Sequence, residues 1–376
     1  MNRLLSIHTV GGLSPEQGGP SVTVPELCRN LCYHGSNLGA RIVTILPSIE
    51  SQQETRSLKG LDVLWTTHSR TYNTLQSTVR VSKPSPIIMH DHGQWLAINH
   101  ASANIARRMR LNRIVSPRGM LSPWSMNHKW WKKRLAWYLY AKRDLNNANA
   151  IHATSELEMN ELRALGVRQP IILIPNGVSP MHFPEDQINI SGRPYFLFMS
   201  RVHQKKGVDV LLRVWEKINS HSWDLVIAGP DEQGIMERID IPPNVKYVGA
   251  VSGLDKNRLL SNASCFVLPT YSENFGVVVA EALMASVPVI TTHGAPWSGL
   301  QANQCGWWIP LTDQTLMESI QRAMSLPSET LKLMGERGKA WVSDQFSWPA
   351  IGIQMADAYR WVLGFEKTIP NFIHCK

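Results

Sequence analysis

The feature that most constrains the fold is an alternation. Short, almost wholly apolar runs rich in β-branched residues are separated by longer stretches of helical pattern, and the series occurs twice. Such runs fit strands buried on both faces, as a parallel sheet covered by helices demands. The first series predicts strands over Leu4–His8, Arg41–Leu46, Ile87–His90, Arg113–Ser116, Ala150–Thr154 and Ile171–Ile174. The second predicts Tyr195–Met199, Asp224–Ala228, Val245–Val248, Cys265–Leu268, Val287–Thr291 and Trp307–Pro310. The class is therefore α/β, with two doubly wound domains whose strand ends are expected to face a common cleft.

A breaker-rich stretch, Pro175–Pro184, lies between the series and marks the hinge. The boundaries expected are 1–180, 181–348 and a C-terminal segment, 349–376, that packs back on the first domain. A length of 376 residues suits two domains. With 43% hydrophobic and 18% charged residues, the chain is neither disordered nor fibrous. No apolar run is long enough to cross a bilayer and no signal-peptide pattern is present, so a cytoplasmic location is expected. Five cysteines without CxxC pairs are expected to be reduced and mostly buried.

The net charge of +9 is unevenly placed. Residues 1–180 carry 21 Lys+Arg against 10 Asp+Glu, whereas the rest carries 17 against 19. Positions 107–143 hold eleven basic side chains (Arg107, Arg108, Arg110, Arg113, Arg118, Lys129, Lys132, Lys133, Arg134, Lys142, Arg143) and no acidic one. Such a block points to an anionic partner.

Loops that follow strands are where such sheets bind ligands. Gly11–Ser21 brings Gly18 and Gly19 to the start of a helix expected near Val22, where backbone N–H groups can meet an anion. It lacks G-x-G-x-x-G, so a nicotinamide fingerprint is not supported, and an ordinary glycine-rich turn is the alternative. His90-Asp91-His92-Gly93 follows another strand. Neighbouring side chains of an extended chain point to opposite faces and no Cys or Glu completes a ligand set, so no metal site is expected. His92 instead suits donation to a substrate hydroxyl or carbonyl, and Arg118, in Ser116–Trp124, suits an anion or sugar contact.

In the second series Arg201 and Lys206 stand before a helix N-terminus, the parts that neutralise a diphosphate. Tyr271–Glu281 then carries two carboxylates, Glu273 before a helix and Glu281 within it, on the order of 10 Å apart. Arg201 and Lys206, followed by Glu273-Asn274-Phe275-Gly276-Val277 and Glu281 in an E-x7-E arrangement, resemble the donor site of glycosyltransferase family 4. The Gly18-Gly19-Pro20 loop, His92-Gly93, Ser116–Met120 and Pro175–Val178 follow the family's order. Gly229-Pro230-Asp231 departs from its commoner Gly-x-Gly.

The resemblance implies a GT-B fold and transfer of a sugar from a nucleotide diphosphate to a hydroxyl. It further implies retention at the anomeric carbon, with no cofactor and no metal. Glu273, His92, Arg201 and Lys206 take catalytic roles in it. Gly18, Gly19, Gly249, Asn274, Phe275, Gly276, Val277 and Glu281 join Arg201 and Lys206 in holding the donor, and Arg118 lies on the acceptor side. Uridine is the first choice of nucleotide and guanosine the second, with a glycan or lipid-linked glycan of a surface polysaccharide as acceptor. The chain contains no Asp-x-Asp, which agrees with diphosphate charge being met by side chains and backbone.

The rivals are a nucleotide-sugar epimerase or hydrolase of the same fold and a basic nucleic-acid-binding protein. No helix-turn-helix, zinc finger or RNA-stacking motif is recognisable, so nucleic acid is not an expected partner. Residues 126–145 read as one helix in which Trp130, Trp131, Trp137, Tyr138 and Tyr140 interleave with Lys129, Lys132, Lys133, Arg134, Lys142 and Arg143. This composition suits the headgroup region of an anionic membrane, here the inner face of the cell membrane. The alternative is a helix with its aromatics turned inward.

Overall fold

The computed structural model describes residues 3–14, 18–34, 37–46, 58–127, 130–181, 192–218, 220–238 and 240–375. Two compact units result, Met1–Gly177 with Trp348–Lys376, and Val178–Ser347. The first begins with β1 (Leu4–Val10), α1 (Gly19–His34), β2 (Leu38–Ile45), β3 (Asp62–Thr66), α2 (Thr71–Ser82), β4 (Ile87–His92), α3 (Ala97–Met109) and β5 (Asn112–Ser116). It continues with α4 (Pro123–Asn127), α5 (Trp130–Ala136), a π-helical turn at Trp137–Ala141, α6 (Lys142–Asn146), β6 (Ala150–Ala153), α7 (Glu156–Ala164) and β7 (Ile171–Leu173).

The second unit contains β8 (Tyr195–Met199), α8 (Val208–Ile218), β9 (Asp224–Ala228), β10 (Val245–Tyr247), α9 (Gly253–Asn262), β11 (Cys265–Leu268), α10 (Val277–Met284) and β12 (Val289–Thr292). Then come α11 (Gly299–Ala302), β13 (Gly306–Ile309), α12 (Asp313–Ser325) and α13 (Ser328–Gln345). Its sheet runs β10-β9-β8-β11-β12-β13, all parallel. Every residue of β8, β9 and β11 is buried, the pattern of strands covered on both faces.

The chain then returns to the first unit through α14 (Trp348–Val362) and β14 (Ile373–His374). That sheet runs β14-β7-β6-β5-β4-β1-β2-β3, and β14 alone pairs antiparallel. Leu27, Leu31, Ile351, Met355 and Tyr359 share one buried cluster beneath α1 and α14. The two helices pack closely because position 352 is glycine: a Cβ there would lie 3.0 Å from that of Asn30. Gly177 lets its own segment run against the start of α14, since a Cβ there would strike the Trp348 ring at 2.3 Å.

Several elements differ from the sequence expectation. The first helix begins at Gly19, three residues before Val22, with Gly18 at φ +76 turning the chain into it. Strands β3 and β14 were not expected: β3 is a half-exposed edge whose apolar run is only Val63–Trp65, and β14 is two residues long. The helix expected over 126–145 runs without a break through α5, the π turn and α6, from Trp130 to Asn146, while Pro123–Asn127 forms the separate α4 and Lys129 lies outside the described residues. Cys28, Cys265 and Cys305 are buried and Cys32 and Cys375 exposed, all five as free thiols.

Candidate active site

In the second unit the loop after β8 is fastened to the loop after β11. Tyr271 N–H donates to the Lys205 carbonyl at 2.9 Å, and the Thr270 hydroxyl donates to the same oxygen at 3.0 Å. Gly207, at φ +70, lets the turn before α8 run against the other loop: a Cβ there would fall 1.9 Å from the Pro269 oxygen. This fastening brings Lys206 to Glu273, an ion pair whose side chains are both only 12% exposed. The Glu273 N–H in turn donates to the Gly294 oxygen at 2.7 Å.

Gly276, at φ +78, caps α10. The preceding Phe275 is buried against Trp297, whose indole N–H donates to the Phe275 carbonyl at 2.5 Å. Asn274 is therefore held on an anchored turn, and Val277 opens the helix. Glu281, inside α10, pairs with Lys256 of α9 at 2.5 Å, while its other carboxylate oxygen is buried and has no partner among the described residues. Arg201 lies 3.9 Å from Glu232, both half exposed. Each of the two cations expected to form one clamp thus rests on its own carboxylate. The exposed Arg201 pair is worth about 0–1 kcal/mol and yields easily to a stronger anion.

Gly229 and Gly249 tie the neighbouring strand ends together. The Gly229 N–H donates to the Gly249 oxygen at 2.7 Å, and a Cβ on Gly229 would sit 1.8 Å from the Ser200 oxygen. Gly249 has φ +71 and open space where its Cβ would be. Gly18 and Gly19, in the first unit, are likewise open, and the Gly18 carbonyl accepts from the Ser21 hydroxyl at 2.7 Å.

The first unit contains a buried polar network in which four imidazoles have fixed tautomers. His152 Nε2 faces the Ile174 carbonyl at 2.8 Å, so it carries the proton and Nδ1 accepts. The Ser116 hydroxyl therefore donates to His152 Nδ1 at 2.6 Å and accepts from His90 Nε2 at 2.9 Å. His90 Nδ1 is left to accept from the Tyr359 hydroxyl at 2.6 Å. A second chain begins at Arg118, whose guanidinium donates to His92 Nδ1 at 3.1 Å. His92 Nε2–H then donates to His8 Nδ1 at 3.0 Å, His8 Nε2–H to the Ser6 hydroxyl at 3.1 Å, and that hydroxyl to the Gly39 carbonyl at 3.2 Å.

All four rings are neutral Nε2–H tautomers. Burial, reinforced by the positive charge of Arg118, pushes His8 down to about 3, and the same causes bring His152 to about 3. His90 and His92 are also held well below the ordinary value, chiefly by burial. Burial lowers Arg118 to about 10, against the opposing pull of Glu158, which leaves it charged at neutral pH. Its other nitrogen donates to Asn176 Oδ1 at 2.5 Å, and its backbone stands at φ +57.

Ring nitrogens of His8, His90 and His92 lie within 4.8 Å of one another. Their free lone pairs accept from His92, Tyr359 and Arg118, and a guanidinium stands beside them, so the chemistry of the set opposes a cation. The expectation that His92 donates to substrate needs correction on geometry: the ring is 2% exposed and both nitrogens are engaged within the protein. Asp91 is committed to structure, buried against Arg113 at 2.6 Å and accepting from the Thr9 hydroxyl at 2.6 Å.

Sequence reasoning missed His8, His152, Tyr359, Asn176 and Lys256. His8 and His152 did leave a signal, a polar residue inside an apolar strand: β1 and β4 pair in the register His8 to His90, and β6 buries His152 beside them. Tyr359 and Asn176 reach the network only through the return of α14 and the tertiary fold, which no local pattern reports.

Two parallel-sheet units of this build, one with a cationic loop beside an E-x7-E helix, define a GT-B architecture. The chain belongs to the family-4 glycosyltransferases: residues 183–341 match the model described as Glycosyl transferases group 1, and residues 18–177 the Glycosyl transferase 4-like domain. An uncharacterised glycosyltransferase of Methanocaldococcus jannaschii is 25% identical, over 50% of this chain and 53% of that protein. The alpha-1,3/1,6-mannosyltransferase of Mus musculus is 26% identical, over 54% and 55%. The chain spans about half the length of these curated relatives. The structure of Anabaena HepE in complex with UDP and glucose covers 95% of this chain and 99% of its own, with TM-score 0.76 at 15% identity, a likeness of fold.

Proposed function

We propose that the protein is a retaining, metal-independent glycosyltransferase. It moves a sugar from a nucleotide-diphosphate donor, UDP-linked before GDP-linked, to a hydroxyl of a lipid-linked glycan in surface-polysaccharide synthesis. The observation that carries the reading is the Lys206–Glu273 pair, set beside a helix that also carries Glu281. The UDP and glucose held by HepE, a protein of the same fold, support a uridine donor.

In this reading Lys206 bridges two anions, Glu273 and the diphosphate, while Arg201 leaves Glu232 for the phosphates. Glu281 takes the ribose hydroxyls, and Gly249 gives backbone approach to the phosphates. Asn274–Val277 frames the sugar. His92 and Arg118 act as positioning residues that stiffen the acceptor-side loops, since their polar atoms are turned inward. The donor's anomeric C–O bond breaks as the acceptor oxygen bonds on the same face. The acceptor proton passes to the departing phosphate oxygen. A carboxylate paired with lysine is a poor nucleophile, which favours this course over a covalent intermediate on Glu273.

The test is direct. UDP should raise the melting temperature more than GDP at equal concentration, and a soluble acceptor should be glycosylated with retention at full rate in excess chelator. Lys206→Ala should lower turnover about 100-fold or more while the protein stays folded. An inverted product, or near-normal turnover of Lys206→Ala, contradicts the reading.

A further inference from the structure

Aromatic and basic side chains alternate through α5, the π turn and α6, and the fold sorts them by face. The inner side packs on the first unit. Ala141 and Leu145 are buried, Trp137 lies against Trp95 with ring centres 6.2 Å apart, and the Gln94 amide donates to the Ala141 carbonyl at 2.9 Å. The outer side is unusual for a face left to water. Trp130, Trp131, Leu135, Tyr138 and Leu139 are exposed by 58%, 56%, 56%, 70% and 66%, all within ten consecutive positions.

Interleaved with them, and also exposed, are Lys132, Arg134, Lys142 and Arg143. Not all the basic block is available: Arg113 and Arg118 are spent inside the unit, and the Lys133 ammonium donates to the Ser125 carbonyl at 2.5 Å. The first carboxylate after the block, Asp144, is buried, with one oxygen bonded to His100 at 2.5 Å and the other 3.7 Å from Arg143 Nε, so it offsets part of the charge of Arg143 and leaves Lys132, Arg134 and Lys142 as the stronger outer cations.

We infer that this outer face is a docking surface for an anionic lipid bilayer. Indole and phenol rings bury an apolar body while keeping a polar edge wet, and the basic side chains reach alongside them to lipid phosphates. A protein partner would need a matching acidic and apolar patch. A bilayer with anionic headgroups supplies both in one continuous surface. The inner face of the same segment grips the loop Gln94–Trp95 beside His92: the Tyr140 hydroxyl donates to the Trp95 carbonyl at 3.3 Å. Docking would therefore hold that loop at the membrane surface. The inference deepens the lipid-linked acceptor of the proposed function, but its test reads binding without turnover.

The test uses the full chain with vesicles of phosphatidylcholine alone or with about one-third phosphatidylglycerol. Cosedimentation is expected with the anionic vesicles only, reversed by high salt. Lys132→Gln, Arg134→Gln, Lys142→Gln and Arg143→Gln combined should weaken it at least tenfold. Trp130→Ala with Trp131→Ala should remove quenching of tryptophan fluorescence by brominated lipid. Both variants change exposed side chains, and an unchanged melting temperature confirms that they fold. Equal binding to both vesicle types, no binding at low salt, or no effect of either variant overturns the inference. So does binding to single-stranded nucleic acid that is tighter than binding to the anionic vesicles at equal charge and equal salt. Transfer to a soluble acceptor should persist in the charge variant, so loss of docking and loss of the enzymatic reading are distinguishable.

Discussion

At the scale of single residues, the first unit spends an unusual amount of buried polarity on order. Four imidazoles, two hydroxyls, a phenol and a guanidinium form two directed chains, each ending on a backbone carbonyl. Ser116 is the one residue that both accepts and donates between rings, so Ser116→Ala would orphan two nitrogens. The pH response follows from the neutral rings. Once unfolded, a histidine takes its proton near 6.5, whereas His8 and His152 in the fold resist until about 3. Below pH 6.5 the unfolded chain thus binds more protons, and stability falls with acidification by up to about 1.4 kcal/mol per pH unit for each ring. The urea midpoint should drop between pH 7.5 and pH 5, with a shallower dependence in His152→Gln; midpoints that do not move would refute the neutral network. The sequence displayed His90 and His92 because they stand two positions apart, but the pairing of His8 with His92 depends on strand order, which no spacing encodes.

Elements were legible where burial is two-sided. Tyr195–Met199 is apolar throughout, Asp224–Ala228 is so after its first residue, and both stand where their composition puts them. The edge strand β3 was not legible, because half-exposed strands carry mixed residues, and the π turn at Trp137–Ala141 has no compositional mark. Glycines divide in a way only coordinates reveal. Gly207 and Gly249 have nearly the same φ, +70 and +71, yet only Gly207 faces a backbone oxygen within van der Waals range. Gly249→Ala should cost about 1–2 kcal/mol of left-handed strain. Gly207→Ala should cost at least twice that, because strain and collision add; equal losses in thermal melts would mean that the close approach to Pro269 is not rigid.

At the scale of the whole molecule, the first unit is discontinuous in the chain. Removing residues 348–376 takes away Trp348, Ile351, Met355 and Tyr359 from a core they share with Leu27 and Leu31, and with them the hydroxyl that His90 accepts from. Hydrogen exchange on a chain ending at Ser347 should show β1 and β4 unprotected while β8, β9 and β11 stay protected. Retained protection in β1 would show that α14 is dispensable.

That discontinuity has a consequence for how the protein is made. A ribosome finishing β7 must translate about 170 further residues before α14 emerges, roughly 10–35 s at ordinary elongation rates. The later-encoded unit is contiguous, so its whole chain is synthesised before the first unit receives its last helix. Throughout that interval the apolar side of α1, with Leu27 and Leu31, lacks the cover that α14 gives it, which exposes the nascent first unit to aggregation until the last 29 residues arrive.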